Sequence, residues 1–444
     1  MNLGNYLKKN ANKLPIGLRV GALISKVDYS LRPGIATSYR QSINEINDFN
    51  SSNEVVKNLI FKNIKNITNF ALENTKFYQE FYGDNNFNIN SLRCFDDICK
   101  IPIVTKSDLR SYSLDDISCM ERSDLQLSNT GGSTGKPFNF YVTAEAMGHE
   151  WAHVHHIWRK LGFTPSDLKA IFAGRSNVRN FVQYDLIRHS LSIDIYSDFE
   201  RVAQRLIKYS LIQDIKYLHG YPSAIFEFAL YCESNPKLLD ILKKSLRGAF
   251  LTSEYPHRHF RDKIESVFDI KTQSFYGHTE RCIIAYENLK EEFVPLQSYG
   301  YCEVEGEELI GTSYKSYGTP LIRYNTGDKV KDYKLEDGLV SSFFLEEGRT
   351  GEFIIDAYGK KIPLTGLVFG RHHLIFNYVS HIQIYQKEKG RVLVLYKPNV
   401  TLPNPVEELF DFSNVNITFD FLEVKNPIKT LSGKFKLLVD ELPE

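Results

Sequence analysis

The spacing of apolar residues predicts helices in the first part of the chain. Between residues 38 and 82, apolar side chains recur largely at steps of three and four: Ile43, Ile46, Val55, Leu59, Ile60, Ile64, Ile67 and Phe70. Steps of this size place side chains along one face of a helix, as in helices that pack against a core. We therefore predict a helical lead-in over residues 1–95 with a packing role.

From about residue 125 onward, short apolar runs alternate with helical stretches. These segments are Leu168 to Ala173, Phe199 to Ile212, Tyr217 to His219, Ser223 to Cys232, Arg247 to Leu251 and His257 to Phe268. The alternation predicts an α/β fold with a substantially parallel sheet. After about residue 300 the pattern changes to strands joined by turns, and beyond Arg349 it predicts a separate, smaller α+β unit.

Composition narrows the class of protein. The 444 residues, 42% of them hydrophobic, are enough for a large core and two or three domains. Lysine plus arginine and aspartate plus glutamate number 54 each, so no net charge attracts nucleic acid or an anionic membrane. The six cysteines form no CxxC pair, and the sequence has no signal-peptide pattern and no apolar stretch of about 18 residues. We expect a cytoplasmic protein without a transmembrane segment or a nucleic-acid partner.

A glycine-rich loop between two predicted strands is the first candidate for chemistry. It contains Thr130, Gly131, Gly132, Ser133, Thr134, Gly135 and Lys136. Glycines let backbone amides approach a polyphosphate closely, and lysine adds a cation. The loop is not a Walker A motif, because Pro137 follows the lysine. Phosphate binding is therefore the favoured interpretation, and a plain hairpin turn is the alternative.

Three later stretches carry matching functional groups. In Tyr276-Gly277-His278-Thr279-Glu280 a carboxylate follows a glycine turn, where it can hold Mg²⁺ against phosphate oxygens. Tyr324-Asn325-Thr326-Gly327-Asp328 presents an acceptor suited to the vicinal hydroxyls of a ribose. Lys429-Thr430-Leu431-Ser432-Gly433-Lys434 presents a lysine on a loop. Each stretch alone is also compatible with an ordinary surface turn.

Taken in order, the four stretches resemble the core motifs of the adenylate-forming superfamily, which includes acyl-CoA synthetases, nonribosomal adenylation domains and luciferase. The phrase from Ile101 to Arg110 resembles the phenylacetate-CoA ligase branch. Within that branch, Gly220-Tyr221-Pro222-Ser223 and the stretch from Tyr276 to Arg281 are most similar to the CapK-type proteins of surface-polysaccharide biosynthesis. The resemblance covers roughly residues 95–436.

The resemblance implies a role for particular residues. Thr130 to Lys136 would hold the ATP phosphates, Glu280 would bind Mg²⁺, and Asp328 and Arg349 would contact the ribose. Lys434 would be the catalytic lysine. The adenine would be lined by Ser253, Glu254, Tyr255 and Pro256, and Gly277 and Thr279 would also lie at the nucleotide. Tyr276 would lie beside the base or the acyl group.

The resemblance also implies how the domains are arranged. An ATP- and acyl-binding domain would span residues 1–348, a hinge 349–351, and a mobile α+β lid 352–444 that carries the catalytic lysine. The sequence departs from the family at the hinge, where Thr350 is followed by Gly351 and Glu352 instead of an aspartate pair. Glycine still allows large backbone rotations there.

Two further groups are candidates for contact with the acyl substrate. His149, His153 and His156 fall at i, i+4 and i+7, on one helical face. They could line a pocket, bind a metal or simply pack. Arg175, at the end of a predicted strand, and Tyr221, in a turn, lie where α/β folds place ligand contacts. A serine-hydrolase elbow is not favoured at Ser223, because the final glycine is missing.

The leading hypothesis is an enzyme that uses ATP and Mg²⁺ to activate a small polar carboxylic or amino acid as an acyl-AMP. It would then transfer the acyl group to coenzyme A or another acceptor. In the alternative, the acceptor is a sugar amine or hydroxyl in capsule or O-antigen synthesis. A third hypothesis is a nucleotide-binding scaffold without catalysis, against which Lys136, Glu280, Asp328 and Lys434 together argue.

Overall fold

The computed structural model describes most of the chain. The described residues are 17–119, 125–130, 138–175, 178–289, 291–346, 352–368, 371, 373–398, 400–403, 405–428, 437–439 and 441–442. None of the helices within these ranges is long and apolar enough to cross a membrane.

The first part of the described chain is helical, as predicted. Its helices are α1 (Gly17–Ile24), α2 (Ser38–Asp48), α3 (Asn53–Asn74), α4 (Lys76–Asp84) and α5 (Lys106–Arg110). Helix α3 buries Ile60, Ile64 and Ile67 along one face. The predicted stripe is wrong at one position, because Val55 is exposed and its neighbour Val56 is buried instead.

The middle of the chain alternates strands and helices. In chain order it contains β1 (Gln126–Thr130), β2 (Phe138–Val142), α6 (Ala144–Trp158), β3 (Lys169–Phe172), β4 (Val182–Asp185), β5 (Ser190–Ile193), α7 (Phe199–Ser210), β6 (Tyr217–Gly220), α8 (Pro222–Glu233), α9 (Pro236–Ser245), β7 (Gly248–Leu251), α10 (Arg258–Phe268) and β8 (Lys271–Gly277). Strands β1 and β2 form an antiparallel hairpin of their own.

The next segment is built of antiparallel strands. They are β9 (Ile284–Leu289), β10 (Glu292–Pro295), β11 (Gly300–Glu305), β12 (Glu308–Ser313), β13 (Tyr324–Glu336) and β14 (Leu339–Leu345). With β3 to β8 they complete a 12-stranded sheet in the order β11-β12-β13-β14-β10-β9-β8-β7-β6-β3-β5-β4. Strands β5, β3, β6, β7 and β8 run parallel to their neighbours within that series, which confirms the predicted α/β class.

Two large hydrophobic clusters pack against different halves of this sheet. One packs the parallel strands against helices α7 to α10, and its members include Phe172, Leu218 and Phe228. The other packs the antiparallel strands against the N-terminal helices through Ile60, Ile64 and Tyr324. The lead-in helices therefore cover the half of the sheet that carries β13.

The tail is a smaller α+β unit, as predicted. It contains β15 (Phe353–Ile355), β16 (Lys361–Pro363), α11 (Leu364–Val368), β17 (Val379–Glu388), β18 (Arg391–Pro398), β19 (Thr418–Glu423) and β20 (Leu438–Val439). Its four-stranded sheet has the order β19-β18-β17-β20. Apolar tail residues such as Ile354 and Leu367 lie in the same hydrophobic cluster as the parallel strands.

The tail meets the parallel strands through a close backbone contact. A Cβ atom at Gly174 would overlap the carbonyl oxygen and Cα of Gly366. A Cβ atom at Gly366 would lie 2.9 Å from the hydroxyl of Tyr196. Nearby, Lys360 Nζ donates to the carbonyl of Ser197 at 2.6 Å. We call this contact between Gly174 and Gly366 the glycine seam.

We predict that Gly174→Ala pushes Gly174 and Gly366 apart and lowers the urea midpoint of unfolding. The added methyl group would meet the backbone of Gly366, which cannot rotate away as a side chain can. Overpacking of this kind costs about 1–3 kcal/mol. Gly83→Ala is the matched control, since nothing lies within 4 Å of a Cβ atom there. Equal midpoints for the two variants would contradict the seam as a packing constraint.

Candidate active site

The candidate site lies at the carboxyl edge of the parallel strands. Arg175 follows β3, Tyr221 follows β6, and residues 253–256 follow β7. Strand β8 ends in Tyr276 and Gly277, and Thr279 and Glu280 come directly after it. The carboxyl ends of parallel strands meet at one edge, where open α/β sheets bind ligands. The sequence candidates from four separated segments are therefore brought to one edge.

Glu280 is the most constrained carboxylate of this edge. It is 6% exposed. Its Oε1 accepts a hydrogen bond from the hydroxyl of Tyr324 at 3.1 Å and lies 2.9 Å from Lys106 Nζ. Its Oε2 lies 3.4 Å from Nδ1 of His278. A buried carboxylate needs such partners, because burial without them is costly.

The tautomer of His278 is fixed by the hydrogen bond that its Nε2 accepts. The backbone N–H of Ile283 donates to Nε2 at 3.2 Å, so Nδ1 carries the hydrogen that faces Glu280. Burial alone would raise the pKa of Glu280, but the bond from His278 and the charge of Lys106 outweigh burial. The net effect is a pKa well below the ordinary glutamate range, so the carboxyl is ionised at neutral pH.

Lys106 reaches Glu280 because the segment before α5 is fixed to β13. Val104 pairs in parallel with Tyr324. The guanidinium of Arg323 donates to the carbonyls of Cys99 and Ile101, at 2.8 Å each. Thr105 then caps α5 by accepting from the backbone N–H of Asp108 at 3.2 Å. The first residue of the helix is thereby held beside the carboxylate.

Sequence reasoning missed Lys106, His278 and Tyr324 as site residues. All three lie inside stretches that were used as motifs, but no role was assigned to them. The cap signal at Thr105 and Asp108 could have located the start of α5. Nothing in the local pattern indicates that Lys106 meets Glu280, since the two are far apart along the chain.

Asp328 and Tyr276 form a second pair at this edge. The hydroxyl of Tyr276 donates to Asp328 Oδ2 at 2.7 Å. Burial, followed by the charge of Asp328, raises the pKa of Tyr276 well above its usual value, so the phenol keeps its proton. The ring of Tyr276 is fixed edge-on against Phe343, while Asp328 is exposed. The phenol thus orients an exposed carboxylate that is available to a polar ligand.

Several predicted site residues lie outside the described residues. These are Gly131 to Lys136 of the glycine-rich loop, Arg349, the hinge residues Thr350 and Gly351, and Lys434. The strand on one side of the loop is described: Thr130 ends β1, is buried, and accepts from the backbone N–H of Phe138 at 3.2 Å. The loop is therefore flanked by the hairpin that the sequence predicted.

Glu254 is a second buried carboxylate, at the end of β7. It is 7% exposed, and its Oε2 accepts from the backbone N–H of Ser223 at 3.2 Å, in the first turn of α8. Burial raises the pKa of Glu254, and the bonds from Ser223 partly offset that effect. The preceding Ser253 has a φ of 69°, a left-handed value uncommon for serine. Because α8 follows β6, the carboxylate turns away from the β8 side that carries Tyr276.

Arg175 and Tyr221 lie on the β3 and β6 side, beside the tail. Arg175 Nη1 donates to Ser192 Oγ at 2.9 Å, and the residue remains exposed. The ring of Tyr221 is buried and would lie 3.0 Å from a Cβ atom at Gly366. Both predicted acyl contacts therefore flank the glycine seam.

His149 and His153 are packed inside the protein. His149 Nε2 donates to the carbonyl of Tyr299 at 2.8 Å, and Nδ1 accepts from Ser42 Oγ at 2.7 Å. His153 Nδ1 donates to the carbonyl of His149 at 2.8 Å, and Nε2 accepts from Ser298 Oγ at 3.0 Å. In this arrangement neither imidazole has a ring nitrogen to offer a substrate. The described ranges contain no group of three side chains suited to a metal ion, including at His156.

Solved structures of acyl-CoA ligases share this fold. The fold matches 2-hydroxyisobutyryl-CoA ligase bound to 2-HIB-AMP in the postadenylation state, with a TM-score of 0.53, 16% identity and coverage of 87% of this chain and 89% of that one. It matches the same ligase with 2-HIB-AMP and CoA in the thioesterification state at a TM-score of 0.55 and 16% identity, over 86% and 89% of the two chains. The chain thus has the fold of an adenylate-forming ligase.

The sequence is also similar to that of a known protein. The chain is 25% identical over 401 residues to Protein CapK of Staphylococcus aureus, covering 84% of this chain and 87% of CapK. No family model matches the chain. The predicted resemblance to adenylate-forming ligases and to CapK is confirmed.

The buried histidines make the fold sensitive to acid. Burial is the main cause that lowers the pKa of His149, His189 and His219 to about 3. It also brings the pKa of His153 and His155 well below its usual value. The unfolded chain takes up these protons near pH 6.5, whereas the folded chain does not. Stability is therefore complete above about pH 6.5 and is lost as the pH falls toward the folded values.

We predict that the free energy of unfolding decreases from pH 7 to pH 4.5, by about 1.4 kcal/mol per pH unit for each proton taken up. Urea titrations at several pH values measure the slope. His149→Gln should reduce the slope, and His259→Gln, at an exposed position, should not. A slope unchanged by His149→Gln would show that this imidazole is already protonated in the folded protein.

Proposed function

We propose that the protein activates a carboxylic acid with ATP, forming an acyl-AMP and pyrophosphate, and then transfers the acyl group to an acceptor. The ionised, buried Glu280 carries this proposal. It follows β8, the strand whose Tyr276 orients Asp328, in a fold shared with adenylate-forming ligases. An enzyme that had lost its chemistry would not need to retain a charge that is so costly to bury.

Glu280 fits a magnesium ion, because Mg²⁺ at nucleotide sites takes one or two carboxylate oxygens together with substrate phosphates. The ion would offset charge on the phosphates. Thr130 and the loop from Gly131 to Lys136 are proposed to hold those phosphates. Asp328, oriented by Tyr276, is proposed to accept the ribose hydroxyls.

In the first half-reaction a carboxylate oxygen of the acid attacks the α-phosphorus, and the bond to pyrophosphate breaks. Lys434, supported by Arg349 at the ribose, is proposed to stabilise the negative charge that develops there. In the second half-reaction the acceptor attacks the acyl carbon, loses a proton and displaces AMP. The two half-reactions require different groups near the same phosphate, as expected if the tail changes position between them.

The acid is proposed to be small and polar. Arg175 and Tyr221 lie at the β3 and β6 end of the site, and the exposed guanidinium of Arg175 suits an anionic or hydroxyl-bearing substituent. The acceptor is proposed to be coenzyme A. A sugar amine or hydroxyl is the second candidate acceptor.

The experiment that tests this function is exchange of labelled pyrophosphate into ATP with a library of carboxylic and amino acids. We expect one small polar acid to support exchange, and Lys434→Ala to reduce it about a hundredfold or more. The same variant should largely spare transfer from a supplied acyl-AMP. Lys425→Ala, an exposed lysine of the same tail, is the control. Equal loss in both half-reactions would contradict the role of Lys434, and exchange with palmitate alone would contradict the substrate class.

Asp328→Ala should weaken ATP binding about tenfold, because the oriented acceptor for the ribose hydroxyls is lost. Isothermal calorimetry with ATP measures the effect. Asp332→Ala provides the control, since Asp332 is also an exposed carboxylate of β13. If Asp328→Ala binds ATP as the unaltered protein does, the ribose is held elsewhere.

A further inference from the structure

One oxygen of Glu280 receives two donors where the proposed function places a metal ion. Lys106 Nζ lies 2.9 Å from Oε1, and the Tyr324 hydroxyl donates to the same atom at 3.1 Å. The other oxygen faces His278. A divalent cation that binds Oε1 therefore has to replace the ammonium of Lys106.

The two partners differ in how firmly they are held. The Glu280 side chain is 7% exposed, whereas that of Lys106 is 25% exposed. Glu280 is fixed by Tyr324 and His278, while Lys106 is a compact cation on a flexible stem. The ammonium of Lys106 can thus move toward solvent once another cation takes its place, but Glu280 cannot remain buried without a cation close by.

The backbone under Lys106 is fixed even though its ammonium is not. Val104 pairs with β13, and Thr105 caps the helix that Lys106 begins. Arg110 lies on the same short helix, close enough to Glu280 for the carboxylate charge to favour its guanidinium. The ammonium is therefore anchored within reach of the carboxylate and of any phosphate bound beside it.

We propose that Lys106 is the resident counter-ion of Glu280, a positioning residue that exchanges with the divalent cation when the nucleotide binds. This inference rests on the proposed function. Before binding, the ammonium holds the carboxylate ionised and in place. When a metal–nucleotide complex binds, Glu280 would hold the cation and the ammonium of Lys106 would contact the phosphates instead. Metal binding is thereby coupled to nucleotide binding, because a metal ion alone would leave Lys106 without an anion.

Direct metal binding tests the exchange without any catalytic readout. Mn²⁺ is titrated by electron paramagnetic resonance into the protein without nucleotide. We expect weak binding by the unaltered protein and binding about tenfold or more tighter by Lys106→Met, because the competing ammonium is gone. Lys100→Met is the matched control, since Lys100 precedes α5 and its ion pair with Asp97 lies at the surface.

The second measurement is ATP affinity in the presence of a chelator. Lys106→Met should weaken metal-free binding about tenfold or more, since the buried charge of Glu280 then repels the phosphates. Lys106→Met combined with Glu280→Gln should regain most of that affinity and fold normally, because both charges are removed together. Thermal unfolding of each variant identifies loss of structure.

The outcomes separate this inference from the proposed function. If the unaltered protein binds no ATP, with or without Mg²⁺, the proposed function is wrong. If it binds ATP but Lys106→Met matches Lys100→Met in both measurements, Lys106 is not the counter-ion that exchanges. Restoration by the double variant supports a role through Glu280, and failure to restore overturns it.

Discussion

The structure depends on neutralising one buried carboxylate with groups from distant parts of the chain. Glu280 follows β8, yet its partners come from α5, from β13 and from its own turn. Losing a partner of a buried charge costs several kcal/mol, so these elements have to be assembled for the site to be stable. The buried guanidinium of Arg323 fixes the lead-in to β13, and its own backbone has a φ of 42°. Strain of this kind persists only where the surroundings enforce it.

A second constraint concerns the tail. Its hairpin and α11 pack on the β3 and β6 side, where the glycine seam allows two backbones to touch. The tail is therefore joined to the larger part by apolar packing as well as by the continuous chain. Any movement of the tail has to expose part of that surface, at about 25 cal/mol per Å². Ligands that repay this cost favour one arrangement over another.

The sequence predicted the fold well because the periodicity of buried positions is local. The helical stripe of α3, the parallel strands β3, β6 and β7 and the strand-rich tail all follow from spacing over a few residues. It also singled out Glu280 and Asp328 as candidate carboxylates in glycine turns. The turn is found after β8 at Glu280, but the turn predicted at Asp328 is wrong, because this residue lies within β13, where a φ of 77° at Gly327 makes the strand irregular. The error at Val55 reflects a shift of one residue, which helical spacing alone does not resolve.

The sequence alone does not predict contacts between distant segments. The sequence marks Lys106 only as part of the segment from Ile101 to Arg110 that resembles the family. It does not indicate that Lys106 pairs with Glu280. The histidines of α6 carry metal-like spacing, but the acceptors and donors that satisfy them come from α2 and from residues before β11. The turn of Glu254 toward α8 likewise depends on the order of strands in the sheet. Pairing of this type is fixed only by the tertiary structure.

Attack of the acid on the α-phosphorus of ATP can be followed directly with an isotopic label. The direct measurement uses the acid identified by exchange, labelled with ¹⁸O in its carboxylate, together with ATP and the acceptor. Mass spectrometry then locates the label. The account predicts one ¹⁸O atom in AMP, left there when the acceptor displaces the nucleotide. Label in orthophosphate, with ADP as the nucleotide product, would mean attack on the γ-phosphorus and would contradict it.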